Sequence, residues 1–125
     1  MQGVSRNFFT LAIVYAICGM ALGLHMGMSE DHTAAAAHAH TMVAGWLMSA
    51  IFAYFYHIVP QARGILATLH FWLTAISGIV FFVSLYFILT GHLGAEPFVI
   101  ASSMAFFVAM LLFAVIALPA LWRRA

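Results

Sequence analysis

The chain has 125 residues, of which 66% are apolar and 6% charged, and its mean hydropathy is +1.12. Ordinary soluble domains carry about a quarter charged residues, so a soluble globular domain, a disordered tail and a nucleic-acid binder are excluded. The net charge of +1 comes from four Arg and three acids, with no Lys. The chain reads as an integral membrane protein whose first partner is the lipid bilayer.

Crossing ~30 Å of hydrocarbon at about 1.5 Å per residue takes about 20 mostly apolar residues. Four stretches meet that length, at about 8–28, 35–59, 65–90 and 97–121. The expected fold is a single all-α domain of four transmembrane helices over residues 1–125. The first span carries a Gly19-Gly23-Gly27 ridge, suited to close helix contact and read here as plain packing. A signal peptide is the competing reading of this span, because Arg6 precedes an apolar run. Tyr15-Ala16-Ile17 makes a poor lipobox before Cys18, and the span is read as retained. Cys18 is the one cysteine, so no intrachain disulfide forms.

Ser29-Glu30-Asp31-His32-Thr33 is a polar break, with Thr33 placed to cap the second span. Pro60-Gln61-Ala62-Arg63-Gly64 is a turn, and Gly91 to Pro97 ends on a proline suited to a helix start. Charges sort by connection. Arg6, Arg63, Arg123 and Arg124 fall on one side of a four-span topology, and Glu30, Asp31 and Glu96 on the other. By the positive-inside rule both termini are cytoplasmic, in a bacterial-type cytoplasmic membrane.

Seven histidines in so apolar a chain are the chemical signal. His25, His32, His38, His40 and His92 gather at the outer face on three spans. His57 and His70 flank the Arg63 turn and read as interfacial residues. His38 and His40 are about 200° apart around a helix, so one helix offers a ligand to each of two sites. The side of His38 continues through Met42, Gly45, Ser49 and Phe52, leaving room for a flat group or another backbone. The side of His40 continues through Ala44, Leu47 and Ile51. Two chemistries suit the cluster. One is haem iron held by imidazoles from two helices. The other is copper, since His25, Met26, Met28, His32 and Met42 mix imidazole with thioether. The third reading is a structural protein, or an assembly partner of a respiratory oxidase, with no cofactor.

The stretch from His38 to about Gly91 adds to this. It holds His38-Ala39-His40-Thr41-Met42, Gly45, Ala53-Tyr54-Phe55-Tyr56-His57-Ile58-Val59-Pro60, Leu69-His70-Phe71-Trp72 and Gly78. This resembles the tenth and eleventh helices of subunit I of haem-copper oxidases and nitric oxide reductases. The resemblance implies His38 as the high-spin-type haem ligand and His40 as the low-spin-type ligand. It implies, more loosely, His25 as the second low-spin ligand. His57 and His70 match landmarks that are not haem ligands in that family.

Departures limit the implied activity. No segment matches the family's copper-site motifs, so oxygen reduction is not expected and the chain leans away from being an enzyme. Family members hold haem propionates with outer arginines, where this chain has His92 and Glu96. The family's twelve helices form three arcs of four, so a four-helix chain is expected to rebuild them as a homotrimer. In that ring His40 of one copy and His25 of the next share an iron. The expectation is a haem b membrane protein for electron transfer or gas sensing, with a respiratory electron-transfer partner. His40, His25 and His38 are its metal ligands, and His92 lies near the propionates.

Overall fold

The computed structural model describes residues 1–123, so Arg124 lies outside the described residues. Four helices are long and apolar enough to span a membrane, and the described residues contain no strand. They are α1 (Val4–Ser29), α2 (Ala35–Ile58), α3 (Ile65–Leu89) and α4 (Glu96–Trp122). α1 packs along α2 and α3 along α4, with α3 also meeting α1 and α2. In hydrocarbon every backbone N–H and C=O must find its partner within the segment, which is why long apolar runs become helices. Ile17, Leu24, Trp72, Met104 and many other apolar side chains are exposed, which fits lipid contact.

Each helix end has a local cause. α1 stops where Glu30 turns left-handed at φ 58°. Asp31 then accepts hydrogen bonds from the backbone N–H (3.1 Å) and hydroxyl (2.9 Å) of Thr33. Thr33 therefore does not cap α2. Its hydroxyl is spent on Asp31, and α2 begins after Ala34 with no side-chain cap. The orphan carbonyls at the other end of α2 are met by Arg63, whose Nε donates to Tyr56 O (2.6 Å) and Nη2 to His57 O (3.0 Å). α3 ends in a Schellman turn: Gly91 has φ 99°, His92 N–H donates to Phe87 O (2.9 Å) and Gly91 N–H to Ile88 O (3.3 Å). α4 opens with Pro97 in its first turn, as the sequence suggested.

Arg63 and Arg123 border one recess at the end that holds the 60–64 turn. That end is called basic here. The end holding the Ser29–Thr33 and Gly91–Glu96 connections is called acidic.

The two halves of the bundle pack differently. Toward the basic end the core is aromatic, with Phe8, Phe52, Tyr56, Phe71 and Phe113 in mutual contact. Toward the acidic end, glycines let backbones close in. A Cβ on Gly45 would lie 2.9 Å from Tyr15 Cγ and 3.1 Å from Phe82 Cε2, and one on Gly78 would lie 2.7 Å from the Tyr15 hydroxyl. Within the acidic-end half, Thr41–Leu47 winds as a π-helix, so α2 is not one uniform α-helix. Such wide turns break the 3.6-residue period and are frequent at functional sites.

Candidate haem and metal-ligating site

Two glycines of the α1 ridge, Gly19 and Gly23, are covered by α2 side chains, and Gly27 is open. A Cβ on Gly19 would lie 2.6 Å from Met42 Sδ, and one on Gly23 would lie 2.8 Å from His38 Cε1. The face of His38 is therefore filled by the α1 backbone and leaves no slot for a flat group. His38 is half-buried, and its Nδ1 lies 2.7 Å from Gly19 O. A carbonyl oxygen only accepts, so Nδ1 carries the proton. In the neutral ring Nε2 is then left with its lone pair free.

His40 repeats this arrangement on the other side of α2. Its Nδ1 donates to Ala36 O at 2.7 Å, one turn back along its own helix. The ring stands edge-on to Phe81 of α3, with centroids 5.5 Å apart at 89°. It is exposed and borders a shallow recess with Ala39, Val43 and Ala44. Both histidines of the pair thus hold the tautomer in which a metal-binding imidazole is found, with the far ring N–H tied to a carbonyl. Their side chains diverge, as the spacing predicted.

His25 is exposed on α1. It lies two residues beyond Gly23, about 200° around the helix from the face that meets α2. Within one chain it is therefore turned away from His40. His92 is exposed after the Schellman turn, edge-on to Phe87 at 5.4 Å, over an apolar groove between α3 and the start of α4. His32 is exposed with Nδ1 3.3 Å from Glu30 O. Among the described residues no three His, Cys, Asp or Glu side chains come together as a metal set. Met26 is buried and Met28 exposed, so the His/Met group does not converge on one point.

No family model, curated protein or solved structure matches this chain.

One histidine was misplaced by sequence. His70 is 0% exposed and is a core residue, not an interfacial one. Its ring lies 4.7 Å from that of Phe52, 5.0 Å from Phe8 and 5.3 Å from Phe113, and its Nδ1 is 3.0 Å from the Tyr56 hydroxyl. A signal was present. Tyr56 and His70 are each seven residues from Arg63 in the second connection, so an antiparallel pair brings them within about one helical turn of each other in depth. His57, by contrast, is exposed as expected, and its carbonyl serves Arg63.

Proposed function

We propose that this chain is a b-type haem-binding protein of a bacterial-type cytoplasmic membrane, working in electron transfer or gas sensing. The observation that carries the reading is the pair of carbonyl-pinned imidazoles, His38 and His40, of which His40 is exposed and, in the neutral ring, keeps the Nε2 lone pair for a ligand bond. His40 is the preferred ligand because it is exposed and its neighbours Ala39, Val43 and Ala44 are apolar and short, leaving room for a flat macrocycle. The donor set fits haem: neutral imidazole on an apolar face, with the Ala36 carbonyl fixing the ring.

A bound haem supplies a reversible one-electron iron centre. The chain's own part is to present Nε2 of His40, to hold that ring edge-on against Phe81, and to offer His92 near the propionates. His25 faces away from His40 within a chain, so a second imidazole for the haem would have to come from the His25 of a neighbouring copy. That requirement is met by a ring of identical contacts, and three copies would restore a twelve-helix assembly. His38 is the less favoured donor, because its ring is packed along Gly23 of α1. Arg6, Arg63 and Arg123 opposite Glu30, Asp31 and Glu96 support cytoplasmic termini.

The test is colour and composition. Protein purified in mild detergent is expected to be red, with a sharp alpha band on reduction, and to run as an oligomer. His40→Ala should lose the haem while its membrane insertion is unchanged. Full haem content in that variant overturns the ligand assignment, and a haem-loaded monodisperse monomer overturns the ring. A colourless protein holding about one copper per chain would favour the copper reading instead.

A further inference from the structure

Serine and threonine inside a membrane helix ordinarily give their hydroxyl to the carbonyl three or four residues back. Thr10, Thr41, Thr68, Ser77, Ser84, Thr90, Ser102 and Ser103 all do so here, and Ser5 donates across to Ala53 O. Ser49 of α2 and Thr74 of α3 do not. Each is 1% exposed, and neither hydroxyl has a partner within the protein. The third such atom among the described residues is Nε2 of His70.

These three atoms lie at neighbouring levels of the bundle. α2 and α3 are antiparallel, and the Phe52–His70 ring contact at 4.7 Å sets their register. Ser49 lies one turn from Phe52 toward the acidic end, and Thr74 one turn from His70 in the same direction. Both hydroxyls therefore stand at one level, about 5 Å above the imidazole. On its other side His70 is already served by Tyr56. Leaving three buried polar groups unpartnered in a membrane core is costly, since each forfeits its hydration. The set contains no carboxylate and no free carbonyl, so a bare cation is poorly matched. A small neutral molecule that both donates and accepts is well matched, and a buried water typically makes about three hydrogen bonds.

We propose that Ser49 Oγ, Thr74 Oγ1 and His70 Nε2 bind a single internal water between α2 and α3, toward the basic end. This water serves either tautomer of His70. Should Tyr56 donate to Nδ1, the water accepts from Nε2–H. Should Nδ1–H donate to Tyr56, the water donates to Nε2.

The test is solid-state NMR of histidine-15N-labelled protein in lipid bilayers, with the His70 signal assigned by subtraction against His70→Gln. Magnetisation transfer from water to the His70 ring is expected in the wild type. It should vanish in Thr74→Val, which keeps the shape and removes the hydroxyl, and the melting temperature should fall. Ser49→Ala, a smaller change in volume, is expected to weaken the same signal. A wild-type His70 with no water transfer overturns the proposal. So does a Thr74→Val protein as stable as the wild type or more so, because removing a truly orphaned hydroxyl relieves a penalty.

Discussion

The HxH pair at the acidic end and His70 toward the basic end use the same side chain in opposite ways. His38 and His40 spend Nδ1 on a backbone carbonyl, which in the neutral ring leaves Nε2 unprotonated. His70 shares Nδ1 with a phenol and has Nε2 enclosed among aromatic rings. The contrast teaches that the histidine content of a membrane helix says little about ligation. What decides is which nitrogen is tied, and whether lipid, protein or a cofactor covers the other.

Exchanging the two roles is the strongest way to break the comparison. His40→Ala should abolish haem retention and leave thermal stability nearly unchanged, because the ring is exposed and its hydrogen bond is to Ala36 of its own helix. His70→Ala should do the reverse, costing about 2–4 kcal/mol through the cavity it leaves while haem content stays at the wild-type level. Absorbance and thermal unfolding on the same preparations read both effects.

The glycines sharpen the comparison of the two halves. Gly45→Val drives a side chain against Tyr15 and Phe82, rings with no room to yield, and should destabilise by about 1–3 kcal/mol. Gly27→Ala has nothing within 4 Å to strike, so it should be neutral or raise stability slightly by its better helix propensity. Paired melting curves in one detergent distinguish them. Smaller again is Arg63→Ala, which leaves the carbonyls of Tyr56 and His57 without their donor and should cost about 1 kcal/mol.

The smallest effect sits in the first connection. The backbone N–H and the hydroxyl of Thr33, in that order, hold the Asp31 carboxyl below its ordinary range, with help from His25 and His32. A group so lowered stabilises the fold above its unfolded pKa and loses that contribution as pH falls through the folded value. Thr33→Val removes the hydroxyl and keeps the N–H, so the Asp31 titration should move only part of the way back up, as 13C NMR of the carboxyl can follow.

The helices were legible because their causes are local. Four apolar runs of membrane length, the Pro60–Gly64 turn, Gly91 and Pro97 all appear where the sequence placed them. The divergence of His38 and His40 followed from a two-residue spacing. Thr33 was misread because Asp31, two residues away, competes for its hydroxyl. Beside His38 the sequence left room for a flat group or another backbone, and it is the α1 backbone at Gly19 and Gly23 that fills it. His70 was taken for an interfacial residue because its depth was judged from Arg63 alone, without Phe8 and Phe113, which come from the first and last helices.

By itself the sequence determined how many helices there are, about where they end and which connections carry each sign of charge. Hydrocarbon thickness and the need to satisfy every backbone group leave little choice in those matters. Only the tertiary structure decided which imidazole nitrogen is spent, which faces are covered, and that α2 opens into a π turn at Thr41–Leu47. Those outcomes depend on contacts between residues far apart in the chain, and no local pattern encodes them.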